Sequence, residues 1–267
     1  MARKKAGKPQ GLLYPSSGKQ NFQLARYLPS EALKFFVEHY WRVQWDLRGR
    51  DPYRSENLPY PSVHLVVEKG KSGIFGVTSG KFSRLLEGRG IAFAVKFRPG
   101  AFYPFVQTPV SRFTDKSAPL EAIFGAEGKA LETAVLAAGE DEESINLVEA
   151  FLRSRLPKRD ERVALVNEVI DHIAADRDIT RVDHLQHEFN LTKRTLQRLF
   201  SQYVGISPGW VIRRYRLFEA TDRLDKSEIV DWPRLAADLG YFDQAHFIKD
   251  FKKMIGVPPG EYARQVS

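Results

Sequence analysis

The C-terminal hundred residues contain a segment that occurs twice, about 50 positions apart. The second copy repeats the apolar spacing of the first, with one extra residue in its turn. The first copy is Leu185-x-x-x-Phe189, Leu196-x-x-Leu199-Phe200 and Val204-Gly205-Ile206-x-Pro208-Gly209, and the second is Leu235-x-x-x-Leu239, Phe247-x-x-Asp250-Phe251 and Ile255-Gly256-Val257-x-Pro259-Gly260. A repeat of this kind predicts two copies of one small structural unit.

Each copy has the pattern of two short helices joined by a tight turn. Thr180, Thr192 and Asp243 stand where a side chain caps the start of a helix. Asn190 suits a left-handed exit from the first helix of the first pair, and Gly240 follows the first helix of the second pair. The residues predicted to face inward are Val182, Leu185, Phe189, Leu196, Leu199 and Phe200 in the first copy, and Leu235, Ala236, Leu239, Phe247 and Phe251 in the second. These features predict two helix-turn-helix motifs.

The segment from about Val163 to Tyr262 resembles the double helix-turn-helix domain of the AraC/XylS transcription regulators. The resemblance rests on Leu-Thr-Lys-Arg-Thr-Leu-Gln-Arg-Leu-Phe at 191–200, Gly205-Ile206-Ser207-Pro208, the long segment from Trp210 to Leu224, and the closing pattern Leu235-Ala236, Leu239-Gly240-Tyr241, Phe247, Phe251-Lys252-Lys253, Gly256-Val257-Pro258-Pro259 and Tyr262. It implies an all-α domain of two motifs joined by a linking helix. The start of the second reading helix, Asp243-Gln244-Ala245-His246, departs from the serine-rich pattern common in the family.

The N-terminal half shows the alternation of strands. A helix is predicted from Ser30 through Tyr40, strands at 41–47, 63–67, 74–78, 82–86 and 91–97, and another helix from about Glu142 to Leu156. The fold class is therefore α+β, with a small antiparallel β sandwich or barrel and flanking helices before the C-terminal all-α domain. We expect a flexible basic arm at 1–20, a β-rich regulatory domain at 21–156 and a DNA-binding domain at 157–267.

The family resemblance implies that the second helix of each motif reads bases in the major groove. The outward-facing candidates for base reading are Arg194, Thr195, Gln197, Arg198, Gln244, His246 and Lys249. Arginine can bond two guanine acceptors, and glutamine can pair with adenine. The candidates for phosphate contact are Lys193, Arg213, Arg214, Arg216, Lys252 and Lys253. The alternative is that these are ordinary solvated side chains.

The N-terminal half also resembles the β-rich, sensor-like domains that precede this module in one AraC-like group. Leu58-Pro59, His64-Leu65-Val66-Val67 and Phe97-Arg98-Pro99-Gly100-Ala101 carry that resemblance. An effector pocket there is predicted from Trp41, Trp45, Tyr60, His64 and Arg98, aromatic and polar groups of the kind that line ligand sites. The alternative is that these are core or rim residues.

The distribution of charge along the sequence indicates the kind of partner the protein binds. The chain has 267 residues and a net charge of +8, but 16 basic and 16 acidic residues from Glu161 onward leave that half neutral. Basic residues cluster locally between Phe189 and Phe218, where no acid occurs, which favours an anionic partner.

The motifs of the main enzyme classes are absent from the sequence. It has no cysteine, no HxH or HExxH spacing, no phosphate-binding loop and no Gly-x-Ser-x-Gly. We therefore expect no catalytic residue, metal or cofactor, and a cytoplasmic protein that is not an enzyme. Double-stranded DNA is the expected partner, with RNA polymerase and a small-molecule effector as further candidates and no membrane. One rival hypothesis is a small-molecule-binding or enzymatic β domain that carries a DNA-binding module. Another is a nonspecific nucleic-acid binder driven by the basic arm.

Overall fold

The structure, a computed structural model, describes residues 20–224 and 231–266. The predicted basic arm therefore lies outside the described residues, except for its last residue. The strands are β1 (Gln23–Tyr27), β2 (Val37–Asp46), β3 (Tyr53–Asn57), β4 (His64–Glu68), β5 (Gly73–Phe75), β6 (Phe82–Leu86), β7 (Arg89–Phe97) and β8 (Ser117–Ala118). Six of them form one antiparallel sheet in the order β1-β2-β7-β4-β5-β8, and β3 pairs with β6 in a separate ribbon.

The two faces of the six-stranded sheet are covered differently, because alternate side chains point to opposite sides. Tyr40 and Val95 point towards the helices that follow the sheet, where they pack with Val148 and other apolar residues. On the opposite face Trp45 packs with Leu86 of the ribbon. The helices are α1 (Tyr103–Val106), α2 (Leu120–Phe124), α3 (Ala126–Ala137) and α4 (Asp141–Ser154), with a 3₁₀ turn at Val110–Phe113. The predicted α+β class is confirmed, as an asymmetric sandwich of sheet and ribbon flanked by helices.

The helix predicted from Ser30 through Tyr40 is wrong beyond its first turn. The carbonyl groups of Ser30 and Leu33 accept helical hydrogen bonds from Lys34 (3.1 Å) and Val37 (2.8 Å), but Val37 already begins β2. Tyr40 pairs with Val95 across the sheet. The helical spacing of these apolar residues is overridden by pairing with the long strand β7.

The C-terminal half is helical. Its elements are α5 (Glu161–Ala175), α6 (Val182–Glu188), α7 (Lys193–Tyr203), α8 (Pro208–Leu224), α9 (Trp232–Asp238), α10 (Gln244–Ile255) and α11 (Pro259–Val266). Residues 157–160, where the sequence predicts a domain boundary, separate α4 from α5. Four N-terminal residues, Phe36, Leu58, Val77 and Ala101, belong to the same apolar cluster as these helices. The two halves therefore share a packed interface.

Candidate nucleic-acid interface

The first motif consists of α6 and α7. Helix α6 ends before Asn190, which adopts the left-handed conformation (φ 49°) as predicted. The amide of Leu191 then donates to the carbonyl of Gln186 (3.1 Å). Thr192 accepts from the amide of Thr195 at 3.2 Å, so the predicted cap of α7 is confirmed. The cap fixes where the second helix begins.

The second motif, α9 and α10, repeats this geometry. Gly240 takes the left-handed conformation (φ 78°), and the amide of Tyr241 donates to the carbonyl of Ala236 (3.0 Å). Asp243 accepts from the amide of His246 at 2.7 Å and caps α10, as predicted. Both motifs also end their second helix at a glycine with positive φ, Gly205 (90°) and Gly256 (100°).

The cap predicted at Thr180 is wrong. Helix α6 begins at Val182 after Arg181, and no side chain caps it. Thr180 packs instead against Gly240, where an added Cβ would lie 2.2 Å from the Thr180 Cβ. The start of the first motif is therefore in contact with the turn of the second, and this contact replaces the local cap.

The second helix of each motif buries one face and exposes the other. In α7 the buried side includes Leu196 and Phe200, and in α10 it includes Phe247 and Phe251. The base-reading candidates that lie exposed are Arg194, Gln197, Arg198, His246 and Lys249, while Thr195 and Gln244 are half-buried. The predicted reading residues thus stand on the solvent faces of two equivalent helices.

Two of the candidates have neighbours that limit what they can do. The Thr195 hydroxyl lies 2.9 Å from the Thr192 hydroxyl and takes part in the cap of α7. His246 Nε2 lies 3.8 Å from the Asp250 carboxylate, which is also 3.5 Å from Arg213 Nε. Asp250 therefore offsets part of the positive charge beside α10.

The predicted phosphate contacts divide into two groups. Lys193, Arg213, Lys252 and Lys253 are exposed. Arg214 and Arg216 are 1% and 3% exposed, so their assignment as phosphate contacts is wrong for this conformation. Both lie on the buried side of α8.

Arg214 is held by the N-terminal half of the chain. Its Nε donates to the carbonyl of Pro59 (3.1 Å), and its guanidinium lies 4.1 Å from the centre of the Tyr60 ring. Burial lowers the pKa of Arg214. Trp210, one turn earlier in α8, donates its indole N–H to the carbonyl of Ser79 (2.8 Å). The linking helix is thus attached to the sheet domain by two side chains.

Arg216 is held within the C-terminal helices. It donates to the carbonyls of Ile173 (2.6 Å) and Asp176 (3.1 Å) at the end of α5. Its guanidinium also lies 3.4 Å from Glu219. Burial lowers the pKa of Arg216. These carbonyls are otherwise unpaired groups of a helix end, so a cation there is well placed.

Three of the five residues predicted to line an effector pocket lie around one buried lysine. Lys96 pairs across the sheet with His64, and its Nζ lies 3.5 Å from the centre of the Tyr60 ring. The indole N–H of Trp41 donates to Nδ1 of His64 (3.1 Å). Lys96 also bonds the Glu38 carboxylate (2.9 Å). The cluster is polar and lies against the linking helix through Tyr60 and Arg214.

The pKa values of the titratable groups in this cluster are strongly shifted. Burial, with the nearby positive charge of Lys96, lowers the pKa of His64 to about 3. Burial also lowers the pKa of Lys96 to about 8, against the opposing attraction of Glu38. Burial by itself would raise the pKa of Glu38, but hydrogen bonds with His39 and Lys96 bring it down to about 2. At neutral pH the imidazole of His64 is therefore uncharged.

Trp45 and Arg98 make other contacts than the three residues around Lys96. Trp45 is on the same face of β2 as Trp41 but four residues further along, so the backbone positions of the two residues are about 13 Å apart. Its indole bonds the carbonyl of Glu87 (3.0 Å). Arg98 bonds Asn167 of α5 (3.3 Å) and lines a groove of about 890 Å³ between the halves.

The described part of the chain contains neither a candidate metal site nor a helix that could span a membrane. No group of three His, Asp or Glu residues there is placed to hold a metal ion. None of the helices in residues 20–224 and 231–266 has the length and hydropathy that a membrane span needs.

One exposed residue of the second motif was missed by the sequence-based predictions. Phe242, between Tyr241 and the cap Asp243, is 92% exposed. The signal was present in the sequence, because the second copy has one more residue in its turn than the first.

Comparison with known proteins assigns the two halves separately. Residues 185–265 match a family model described as a helix-turn-helix domain, and residues 25–119 match one described as a domain of unknown function (DUF6597). An uncharacterized HTH-type transcriptional regulator from Haemophilus influenzae is 30% identical over 86 residues, 32% of this chain and 28% of that protein. The transcriptional activator RhaS from Pectobacterium atrosepticum is 33% identical over 81 residues, 30% of this chain and 29% of that protein.

The chain therefore spans less than a third of the length of these two curated relatives. Among solved structures, ToxT from Vibrio cholerae O395 aligns over 93% of this chain and 99% of that chain, at 14% identity and a TM-score of 0.37. The helix-turn-helix match covers the repeated C-terminal segment, and the curated relatives are themselves helix-turn-helix regulators. Residues 185–265 therefore form a helix-turn-helix domain of the AraC type.

Proposed function

We propose that this chain is a sequence-specific DNA-binding transcription regulator that reads two successive major-groove segments with α7 and α10. One observation carries the proposal. The exposed polar faces of the two helices occupy the same position in two copies of one capped helix pair. Two equivalent reading helices on a single chain suit one face of a DNA duplex, and the site need not be palindromic.

The exposed side chains have the chemistry of base recognition. Arg194 and Arg198 can each donate two hydrogen bonds to guanine, and Gln197 can pair with adenine. His246 and Lys249 are the corresponding donors of the second helix. The exposed cations Lys193, Arg213, Lys252 and Lys253 are proposed to contact phosphates.

The N-terminal half is proposed to regulate this binding. It contacts the linking helix α8 through Pro59, Tyr60 and Ser79. Because α8 connects the two reading motifs, a change in the sheet domain would alter their relative placement. A small-molecule effector near Trp41, Tyr60 and His64 is one source of such a change. RNA polymerase is a candidate protein partner, and a protein that acts on bacterial promoters would work in the cytoplasm.

Selection of bound sequences from random DNA tests the proposal. The full chain should enrich one site, and a footprint should cover two adjacent major-groove segments. Gln197→Ala and Arg198→Ala should each weaken binding to that site by about 1–3 kcal/mol, with a much smaller loss on unrelated DNA. Lys129→Ala, which removes an exposed charge from α3, is the matched control. Failure to enrich any sequence would contradict the proposed function.

The rival hypothesis of an enzymatic or ligand-binding β domain is tested on the same protein. A substrate turned over by the full chain, with no enriched DNA site, would favour it. The DNA-binding proposal is preferred to this rival because the polar groups around Lys96 are already engaged. Glu38 is paired with Lys96, and burial keeps the imidazole of His64 uncharged.

A further inference from the structure

We infer that Phe242 is a specificity-determining residue that contacts the methyl group of a thymine in the DNA segment read by the second motif. This inference rests on the proposed function and extends it to a residue outside the reading helices. Three observations support it: the position of Phe242 in the repeat, the contacts that hold the residues on both sides of it, and its exposure.

Phe242 has no counterpart in the first motif. Leu191 and Tyr241 occupy equivalent positions, because their amides donate to the equivalent carbonyls of Gln186 and Ala236 (3.1 and 3.0 Å). Thr192 and Asp243 are equivalent caps. Leu191 is followed directly by Thr192, the cap of α7, whereas Phe242 stands between Tyr241 and Asp243, the cap of α10. Phe242 is therefore the inserted residue.

The backbone around Phe242 is held on both sides. The Tyr241 ring packs against the rings of His246 and Phe247, at centroid distances of 5.3 and 5.4 Å. On the other side the Asp243 carboxylate bonds the amide of His246 (2.7 Å). The inserted residue is thus held between two fixed neighbours immediately before α10, so that binding has to order little more than its side chain.

The Phe242 side chain is not part of the packed core. It is 92% exposed, whereas the other large hydrophobic residues exposed within the described ranges are 37–45% exposed and all lie at or before Leu156. In the described part of the C-terminal half, Phe242 therefore has no exposed large apolar neighbour. A protein-binding surface is usually a contiguous apolar patch, so a single aromatic among polar groups does not fit that alternative.

The surroundings favour DNA. After Phe242 the exposed residues are the cap Asp243, then Ala245 and His246, and further along α10 the cations Lys249, Lys252 and Lys253. The N-terminal end of a reading helix is the part that approaches the base edges. The apolar feature of the major groove is the thymine C5-methyl group, and aromatic side chains are among those that contact it. The ligand that suits Phe242 is therefore a thymine in this groove.

The test uses the full chain and its selected DNA site. Each thymine in the segment protected by the second motif is replaced in turn by deoxyuridine, which lacks the methyl group and keeps the hydrogen-bonding edge. We expect wild type to bind about fourfold more weakly at one such position. Phe242→Ala should bind the thymine site about tenfold more weakly and lose nothing further with deoxyuridine. Phe242→Leu should restore most of the methyl preference.

Leu136→Ala, which removes an exposed apolar side chain from α3, is the matched control and should bind as wild type does. Equal thermal midpoints of wild type and Phe242→Ala exclude a folding effect. The inference is overturned if Phe242→Ala binds the site as tightly as wild type, if every thymine replacement affects both proteins equally, or if the variant loses affinity equally on unrelated DNA. A wild-type chain that enriches no site contradicts the proposed function, which is a different outcome from these.

Discussion

Arg213 and Arg214 are neighbours on α8 that should respond in opposite ways to the same substitution. Arg214→Ala removes a charged donor to the carbonyl of Pro59 and a guanidinium stacked on Tyr60. A hydrogen bond from a charged group contributes about 1.5–3 kcal/mol, and a desolvated cation–π contact contributes about 2. Because burying the arginine also costs desolvation energy, we expect a net loss of about 3 kcal/mol in the free energy of unfolding.

Arg213→Ala removes a side chain that is 46% exposed and 3.5 Å from Asp250. An exposed ion pair of this kind contributes about 0–1 kcal/mol, so stability should change little. Binding to DNA should change more. A phosphate contact contributes about −0.9 to the slope of log affinity against log salt. Arg213→Ala should therefore make the slope shallower by about 0.9, and Arg214→Ala should leave it unchanged.

Both substitutions remove one positive charge, so the comparison isolates where that charge lies. Urea denaturation measures the free energy of unfolding, and fluorescence anisotropy on labelled DNA at several salt concentrations measures the slope. Lys253→Ala serves as a second exposed cation and should resemble Arg213→Ala. An Arg214→Ala protein with wild-type stability and a shallower slope would refute the placement of this side chain in the domain interface.

Two further predictions concern the N-terminal half and its contacts. Gly205→Ala should lower the free energy of unfolding by about 2 kcal/mol in urea denaturation, because φ is 90° and the new Cβ would lie 2.9 Å from the carbonyl oxygen of Val110. Gly49→Ala, with a similar φ of 74° and nothing within 4 Å, is its control and should lose about 1 kcal/mol. Because His64 has a pKa of about 3 when folded and an ordinary one when unfolded, the unfolded chain binds more protons in between. The contribution of His64 to the free energy of unfolding is therefore complete above about pH 6.5. It decreases by up to about 2 kcal/mol when the pH is lowered from 7 to 5. His64→Gln should lack that component, and an identical pH profile for wild type and His64→Gln would count against it.

Local signals predicted much of this structure. The caps at Thr192 and Asp243 and the left-handed residue Asn190 depend on a few neighbouring residues, and all three are confirmed. Alternation predicted β2, β4, β5, β6 and β7 for the same reason, whereas β1, β3 and β8 were not predicted. The helix predicted from Ser30 through Tyr40 was wrong because its apolar spacing also suits a strand, and only the distant β7 decides between them.

The candidate site was harder to predict, because charge in the sequence does not reveal burial. Arg213, Arg214 and Arg216 look alike as part of a basic cluster, yet two of them are buried. One is buried by the sheet domain and the other by the end of α5. Trp41 and Trp45 likewise share a strand face, but one lies beside His64 and the other under the ribbon. Contacts between segments that are far apart in the sequence decide each case.

The sheet domain touches the two motifs at equivalent places. The carbonyl of Gly205, after α7, accepts a hydrogen bond from the Thr114 hydroxyl. Gly256, after α10, is covered by the Lys81 side chain, whose Nζ is held by Glu56 (2.8 Å). Because Thr114 and Lys81 belong to different loops of one domain, a shift of either loop would move one reading helix relative to the other. The spacing of the two helices, and with it the proposed match to two groove segments, therefore depends on the sheet domain as well as on α8.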